Sequence, residues 1–405
     1  MRGIEATWLW SGDPVHAPLA SGGLVTDAGG RVLAVGDARA LRREHAGARW
    51  ERHEGIVIPG LVNARVRLEL SALRGRLSGG RGYVPWLREL TDARERLAPE
   101  SDLEAIEAAV SELVRAGTAA IGEVTSTGAA IESLASAPLV ARVFHEIAGL
   151  RRETATVVRA MAEQHYEGVA LPANVALSLA PHSAVGLHPR ALAALFGEGV
   201  TLPLPLAASA AERAFLEGGG GPLGAWMKER GADPADWDPP GVGPIAHAEA
   251  LGVVGPSLLA TDLTDARDDE LETLARRGAQ AVLCPRASLH VEVKLPPLTG
   301  LLDLGIEPAL GTDSLAAAPS LDVLEEALAL HRRFPRVGSG QLCAMATSFG
   351  ARALGLEDRV GRIAPGLTPG VLLFEGGPDL DDPLAHVLAQ AGRPRRVLVR
   401  PGSAL

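Results

Sequence analysis

From about residue 57 the chain alternates short apolar runs with stretches whose apolar residues recur every three or four positions, the pattern of buried parallel strands joined by amphipathic helices. The strand-like runs fall at 57–62, 118–125, 138–145, 174–180, 200–207, 257–262, 280–284 and 306–312. Helical candidates between and after them include 101–116, 151–165, 188–197, 267–277 and 320–333. Eight such units predict an α/β fold, a closed (β/α)8 barrel of TIM type. The alternative is a doubly wound open sheet, which normally shows a Gly-rich phosphate turn after its first strand. Here that strand runs instead into Asn63-Ala64-Arg65.

The two ends of the chain read differently. Residues 1–58 break into short strand-like pieces, Gly3–Trp10, Gly23–Thr26, Arg31–Val35 and Gly55–Ile58, with a turn at Asp27–Gly30. Strand-like pieces return after residue 355 at Gly361–Ile363, Val371–Glu375 and Arg396–Val399. The expectation is a small β-sandwich domain built from 1–58 and 356–405, with the barrel occupying 59–355. Gly218–Gly221 and the stretch 231–244, which holds four prolines, read as barrel loops.

Composition narrows the function classes. With 405 residues and 47% hydrophobic content the chain can bury a large core, so disorder is not expected. A net charge of −10 with no basic stripe removes the electrostatic footprint of a nucleic-acid binder. The two cysteines, Cys284 and Cys343, lack metal-site spacing and fit a reducing cytoplasm. The first residues hold Glu5 and no apolar segment, and no apolar run nears the roughly 20 residues that span a bilayer. The expectation is a cytoplasmic protein acting on a small molecule, with neither membrane nor nucleic acid as partner.

Barrel enzymes carry their chemistry at the carboxyl ends of the strands. Those ends read Asn63–Arg67, Glu123–Thr125, His145-Glu146, Ala180-Pro181-His182, Pro205–Ala208, Thr261–Thr264, Cys284–Ser288 and Gly311–Ser314. Arg65 and Arg67 stand two apart at the end of the first strand, so both guanidiniums face one space. Two cations in one buried space need partners.

Several of these segments carry a family resemblance that spans essentially the whole chain. Val57-Ile-Pro-Gly-Leu-Val-Asn-Ala64, Gly117-Thr118, Leu179-Ala-Pro-His182, Cys284-Pro-Arg286, Gly311-Thr-Asp-Ser314 and Gly361-Arg-Ile-Ala-Pro-Gly366 resemble successive landmarks of the amidohydrolase superfamily. The similarity is to its cytosine-deaminase-like, chlorohydrolase-like and aminodeoxyfutalosine-deaminase-like branch. Leu68–Gly75 with Gly79–Gly82 and Trp86 points most closely to the last group. The resemblance implies the barrel and the two-ended β-sandwich. It also implies a divalent metal such as zinc that activates water for hydrolysis of C–N bonds, held by neutral imidazoles and a carboxylate.

Carried residue by residue onto this chain, the family's metal positions are Arg65, Arg67, Pro205, Thr261 and Asp313, and its general acid/base falls on Ala208. A further sixth-strand histidine of deaminases falls near Thr264. Only Asp313 keeps a family residue. Arginine has five donors and no acceptor and does not ligate a metal; proline and alanine side chains do not ligate either. The expectation is therefore a protein of deaminase-like descent without bound metal, a pseudoenzyme. One of its arginines pairs bidentately with Asp313, and either both fill the vacated metal position or one is left to hold an anionic metabolite. Active C–N hydrolysis of a nucleoside-like or heterocyclic amine at a noncanonical metal centre remains the alternative, and a regulatory or structural subunit of an active homologue is a third. A homodimer is a family-level expectation.

Substrate-side candidates are Arg65, Arg67, Glu69, Ser71, His145, His182 and Ser314, with Asp313 the one retained catalytic position. Glu69 and Ser71 equally suit dipole and capping roles at a helix start. His290, after the seventh strand, is a candidate substitute ligand, whereas Cys284 sits before proline in a packing position. No nucleophile elbow, phosphate loop or HExxH motif supplies another catalytic apparatus.

Overall fold

The computed structural model describes residues 1–97, 99–231 and 239–402. Eight strands form the barrel: β6 (Leu61–Val66), β7 (Thr118–Thr125), β8 (Val140–Ile147), β9 (Val175–Pro181), β10 (Leu202–Leu206), β11 (Leu258–Asp262), β12 (Gln280–Leu283) and β13 (Ala309–Leu310). They pair in parallel as two four-stranded arcs, β6-β7-β8-β9 and β10-β11-β12-β13. At one seam the arcs are joined by hydrogen bonds, since Thr312 and Asp313 donate their N–H groups to the Arg65 carbonyl at 3.0 and 3.1 Å and Arg67 N–H donates to Asp313 at 2.6 Å. The Asn63 side chain doubles that seam, donating to the Thr312 hydroxyl at 2.8 Å and accepting from its N–H at 3.1 Å.

Strands of a parallel barrel are covered on both faces, so they read as unbroken apolar runs. In β7, Thr118-Ala-Ala-Ile-Gly-Glu-Val-Thr125, every residue is buried. Gly122 is required there, because a Cβ would stand 2.3 Å from the Ala64 carbonyl oxygen of β6.

Both termini meet in one seven-stranded sheet ordered β15-β14-β5-β1-β3-β4, with β2 beside β1. Its members are β1 (Arg2–Leu9), β2 (Leu19–Ala20), β3 (Gly22–Thr26), β4 (Val32–Asp37), β5 (Arg49–Pro59), β14 (Val371–Phe374) and β15 (Arg396–Val399). The two ends of the sequence thus share hydrogen bonds in a single sheet rather than in two separate ones. A core of aliphatic side chains with Trp10, Phe144 and Phe374 is continuous from this sheet into the barrel.

The predicted strand at 57–62 is split by Gly60: its first half ends β5 in the terminal sheet and its second half begins β6, which runs on to Val66. The last barrel strand is shorter than 306–312, because the chain leaves the sheet at Gly311 to bring Asp313 across to β6. Gly361–Ile363 is irregular rather than a strand. The helices Pro99–Arg115, Arg152–Tyr166, Pro189–Phe196, Asp268–Arg277 and Val323–Arg333 lie within three residues of the expected bounds. Within the Pro-rich stretch 231–244, residues 232–238 lie outside the described residues.

Candidate functional site

The carboxyl ends of the barrel strands open into a cavity of about 470 Å³. Its floor holds Arg65, Arg67, Glu146, Asp262 and Asp313; its upper wall is apolar, with Trp86 and Leu87 from helix Tyr83–Arg94 and Leu223, Trp226 and Met227 from helix Gly221–Glu229. The i, i+2 relation at the end of β6 does send both arginines into this one space.

Each guanidinium has carboxylate company. Arg65 donates through Nη1 to the Thr261 hydroxyl, lies 3.5 Å from Asp262 Oδ2, and has Nε 3.5 Å from Asp313 Oδ1. Burial works against its charge, but Asp262 and Asp313 more than offset this and raise its pKa. Arg67 forms a two-bond fork with Glu146, at 2.8 and 2.5 Å, with only 3% of the Glu146 side chain exposed. Burial would raise the Glu146 carboxyl, yet Arg67 dominates and holds it below the ordinary value. The expected bidentate pair with Asp313 is thus made by a different carboxylate, Glu146 of β8, two strands along the arc. Both arginines face carboxylates, and Arg65 Nε is left without a hydrogen bond. The five floor groups sum to −1, two guanidiniums against three carboxylates.

The remaining candidates divide. His182 lines the cavity, its Nδ1 3.3 Å from the Ser183 hydroxyl. Burial, aided by Arg67 and Arg65 and opposed by Glu146, lowers its pKa, so the ring is neutral at pH 7. Glu69 touches the cavity, but its carboxylate is taken up by the 125–127 turn: it accepts from the hydroxyls of Thr125, Ser126 and Thr127 and from the N–H groups of Ser126 and Thr127, at 2.8–3.2 Å. Ser71 is buried in the 3-10 turn Leu68–Leu73 and Ser314 is buried with its hydroxyl on Asp313 Oδ2 at 3.0 Å; neither lines the cavity.

His145 points away from it. Alternation along β8 puts Glu146 inside and His145 outside, where Nδ1 meets the Tyr166 hydroxyl at 2.9 Å. His290 is also excluded as a substitute ligand, because its imidazole packs against the Gly79 loop. Cys284 is buried and free, and burial pushes its thiol well up, which leaves it inert.

Asp262 and Tyr83 were not singled out by sequence. Asp262 adjoins Thr261 at the end of β11 and turns inward because its backbone is left-handed, φ +70°. Tyr83 opens the helix over the cavity, and burial together with nearby Glu212 and Asp262 pushes its phenol up. Glu212, buried at the start of helix Ala210–Gly218, accepts from Ala208 N–H at 2.7 Å, and burial raises its carboxyl to about 8. Only a local sequence reading of Thr261–Thr264 and of the Gly82-Tyr83 helix start could have found the first two.

The chain's residues 56–400 match the profile of the amidohydrolase family. The chain belongs to that family. Among its relatives are the aminodeoxyfutalosine deaminases of Deinococcus radiodurans, 27% identical over 82% of this chain and 81% of that protein, and of Nitratiruptor sp., 27% identical over 91% and 92%. A 5-methylthioadenosine/S-adenosylhomocysteine deaminase of Nitratidesulfovibrio vulgaris is 25% identical over 99% of this chain and 91% of that one. The fold matches the crystal structure of Helicobacter pylori aminofutalosine deaminase in complex with methylthio-coformycin, with TM-score 0.85, 17% identity and all of both chains covered. It likewise matches atrazine chlorohydrolase TrzN from Arthrobacter aurescens complexed with zinc, with TM-score 0.79, 18% identity, and coverage of 100% and 95%. The superfamily branch read from the sequence motifs is therefore the right one.

The five floor groups supply carboxylates but neither imidazole nor thiolate. Zinc takes imidazole, thiolate and carboxylate donors in a tetrahedral set, and the described residues contain no group of three or more histidines, cysteines, aspartates and glutamates that could hold a metal. Asp313, Asp262 and Glu146 are acceptors, but each faces a guanidinium that would repel a dication. Ala208, where the sequence resemblance puts the family's acid/base, has no titratable side chain.

Proposed function

We propose that this amidohydrolase-family chain is a ligand-binding protein that does not carry out metal-dependent hydrolysis. Its barrel mouth takes a neutral or cationic, flat small molecule, of which a nucleoside-like amine is the leading class. The observation that carries the reading is the location of the Arg65 guanidinium, in contact with Thr261, Asp262 and Asp313 where a metal's donors would have to converge. The floor charge of −1, the Trp86 and Trp226 walls and neutral His182 support a planar base with exocyclic N–H donors. The names of its relatives supply the nucleoside class.

A second reading, an active C–N hydrolase with a noncanonical metal site, draws support from those same relatives, which are named as deaminases. Elemental analysis of protein purified without chelator separates the two, alongside an assay of ammonia release from 5-methylthioadenosine and S-adenosylhomocysteine. Metal far below one equivalent, no ammonia and a ligand-induced rise in Tm with such compounds are expected. One bound equivalent lost on Asp313→Ala, with turnover, would replace the binding reading by the hydrolase.

A further inference from the structure

At the far end of the barrel from the mouth lies a second cleft, of about 680 Å³, between the end of helix Pro99–Arg115, the start of β7 and β15. Its walls carry Glu112, Asp322 and Glu325 against Arg115, Arg393, Arg395 and Arg400. Each carboxylate already has a cation. Glu112 accepts from Arg74 and from Leu321 N–H, Asp322 from Arg395 and from Gly392 N–H, and Glu325 from Arg286 and Ser320. Since Arg74 and Arg286 enter from outside the cleft, Arg115, Arg393 and Arg400 are left without an ion pair among the described residues.

Two buried groups on the same walls keep unused hydrogen-bond donors, although Arg395 also pairs with Asp322 and stands over the Phe374 ring at 5.1 Å. Thr118, 3% exposed, has no hydrogen-bond partner for its hydroxyl, and Arg395, with a side chain 2% exposed, has none for Nε and Nη1. Buried polar groups are normally paired, and one left unpaired costs stability. Beside them the cleft has an apolar strip at Val114, Leu372 and Val397, the last of which is 39% exposed.

We propose that this cleft binds a small organic phosphate. Three unpaired guanidiniums exceed what one carboxylate can use, since a single arginine fork satisfies it, and they match a polyanionic group with several equatorial oxygens. The apolar strip takes the organic portion. Thr118 and Arg395 supply the remaining donors. The site is separate from the mouth and does not depend on whether the mouth hydrolyses anything.

Calorimetric titration of the full chain with adenosine 5′-monophosphate, inorganic phosphate and hexanoate tests this. The monophosphate is expected to bind with one equivalent, weakening as salt rises, with inorganic phosphate weaker and hexanoate weaker still. The Arg393→Gln/Arg400→Gln variant is expected to keep its Tm and to raise Kd about tenfold or more. Thr118→Val, which removes one hydroxyl of nearly equal volume, is expected to weaken binding by a smaller factor. Absence of binding at millimolar ligand overturns the proposal, and so does monophosphate binding that the double variant leaves unchanged, which would put the ligand elsewhere. Phosphate and monophosphate binding equally would overturn the organic-ligand assignment, and tighter binding of hexanoate would overturn the phosphate.

Discussion

The Arg67–Glu146 fork is the most consequential pair in the mouth, because both partners are largely withdrawn from water. Removing one member leaves the other as an uncompensated buried charge, a change that costs about 3–5 kcal/mol. Arg67→Met is therefore expected to lower stability by that order in denaturant unfolding at pH 7. The sign of its pH dependence follows from the shift. Glu146 has a folded pKa below its unfolded one, so its contribution is present above the unfolded value and lost as pH falls through the folded value. In Arg67→Met the largest lowering influence is gone, burial outweighs what Arg65 still contributes and the folded pKa rises, so the deficit against the parent should shrink toward acid pH. Glu212 behaves in the opposite way. Raised to about 8 by burial, it favours the folded state fully below the ordinary carboxylate range and loses that contribution as pH rises toward 8. Glu212→Gln should flatten the fall in stability over that range, a fall whose slope for a single carboxyl is at most about 1.4 kcal/mol for each step of one in pH. Denaturant titrations of parent and variant at a series of pH values read the difference directly. Which residues enter the mouth was legible from i, i+2 spacing at β6, but which carboxylate each arginine meets was not. That choice depends on Glu146 and Asp262, set by the register of β8 and by a left-handed backbone at 262, neither of which the local sequence spells out.

At the scale of elements, the apolar runs gave the barrel strands well, since a strand covered on both faces leaves a continuous apolar signature. They failed at the two ends of the barrel. Gly60 ends β5 and admits β6 without any break in hydrophobicity, and Ala309–Leu310 is all that stays in the sheet before the chain crosses to β6. The small helix Gly221–Glu229, which walls the mouth, was hidden because it is about two turns long and follows a run of glycines. The β6–β7 contact is tight enough to test directly. Gly122→Ala would put a methyl 2.3 Å from the Ala64 carbonyl, so the strands must part there. A loss of about 1–3 kcal/mol is expected, typical of overpacking, read as a lower denaturation midpoint. Gly311 meets the backbone and Cβ of Arg65 in the same way, at 2.6–2.7 Å, and Gly311→Ala should disturb the Arg65 contacts as well as stability.

At the scale of the molecule, the seven-stranded sheet ties the two ends of the chain to one another. β14 pairs with β5 along Val371–Phe374, and β5 continues through Gly60 into the first barrel strand. A chain ending at Gly370 would expose that edge of β5 and uncover apolar core at Ile56 and Ile58. It is expected to aggregate on refolding, measured by light scattering, while the full chain refolds. The apolar patterning and the turn-rich termini made this arrangement readable; the single shared sheet was not, because strand pairing between residues so far apart in sequence leaves no local mark.

The triangle of Arg65, Asp262 and Asp313 also bears on how the floor could change. On the binding reading proposed above, building a metal site into this floor by single replacements must begin somewhere, and replacing Arg65 first leaves two carboxylates side by side with their shared cation gone. Replacing Pro205 or Thr261 first places a new imidazole against a guanidinium that no metal can share. Each opening step lowers stability before any ion can be held, and the remaining donors and the acid/base at 208 must still be acquired. On that reading the Arg65 triangle acts as a lock, since the first step toward any metal site removes an ion pair before an ion can replace it.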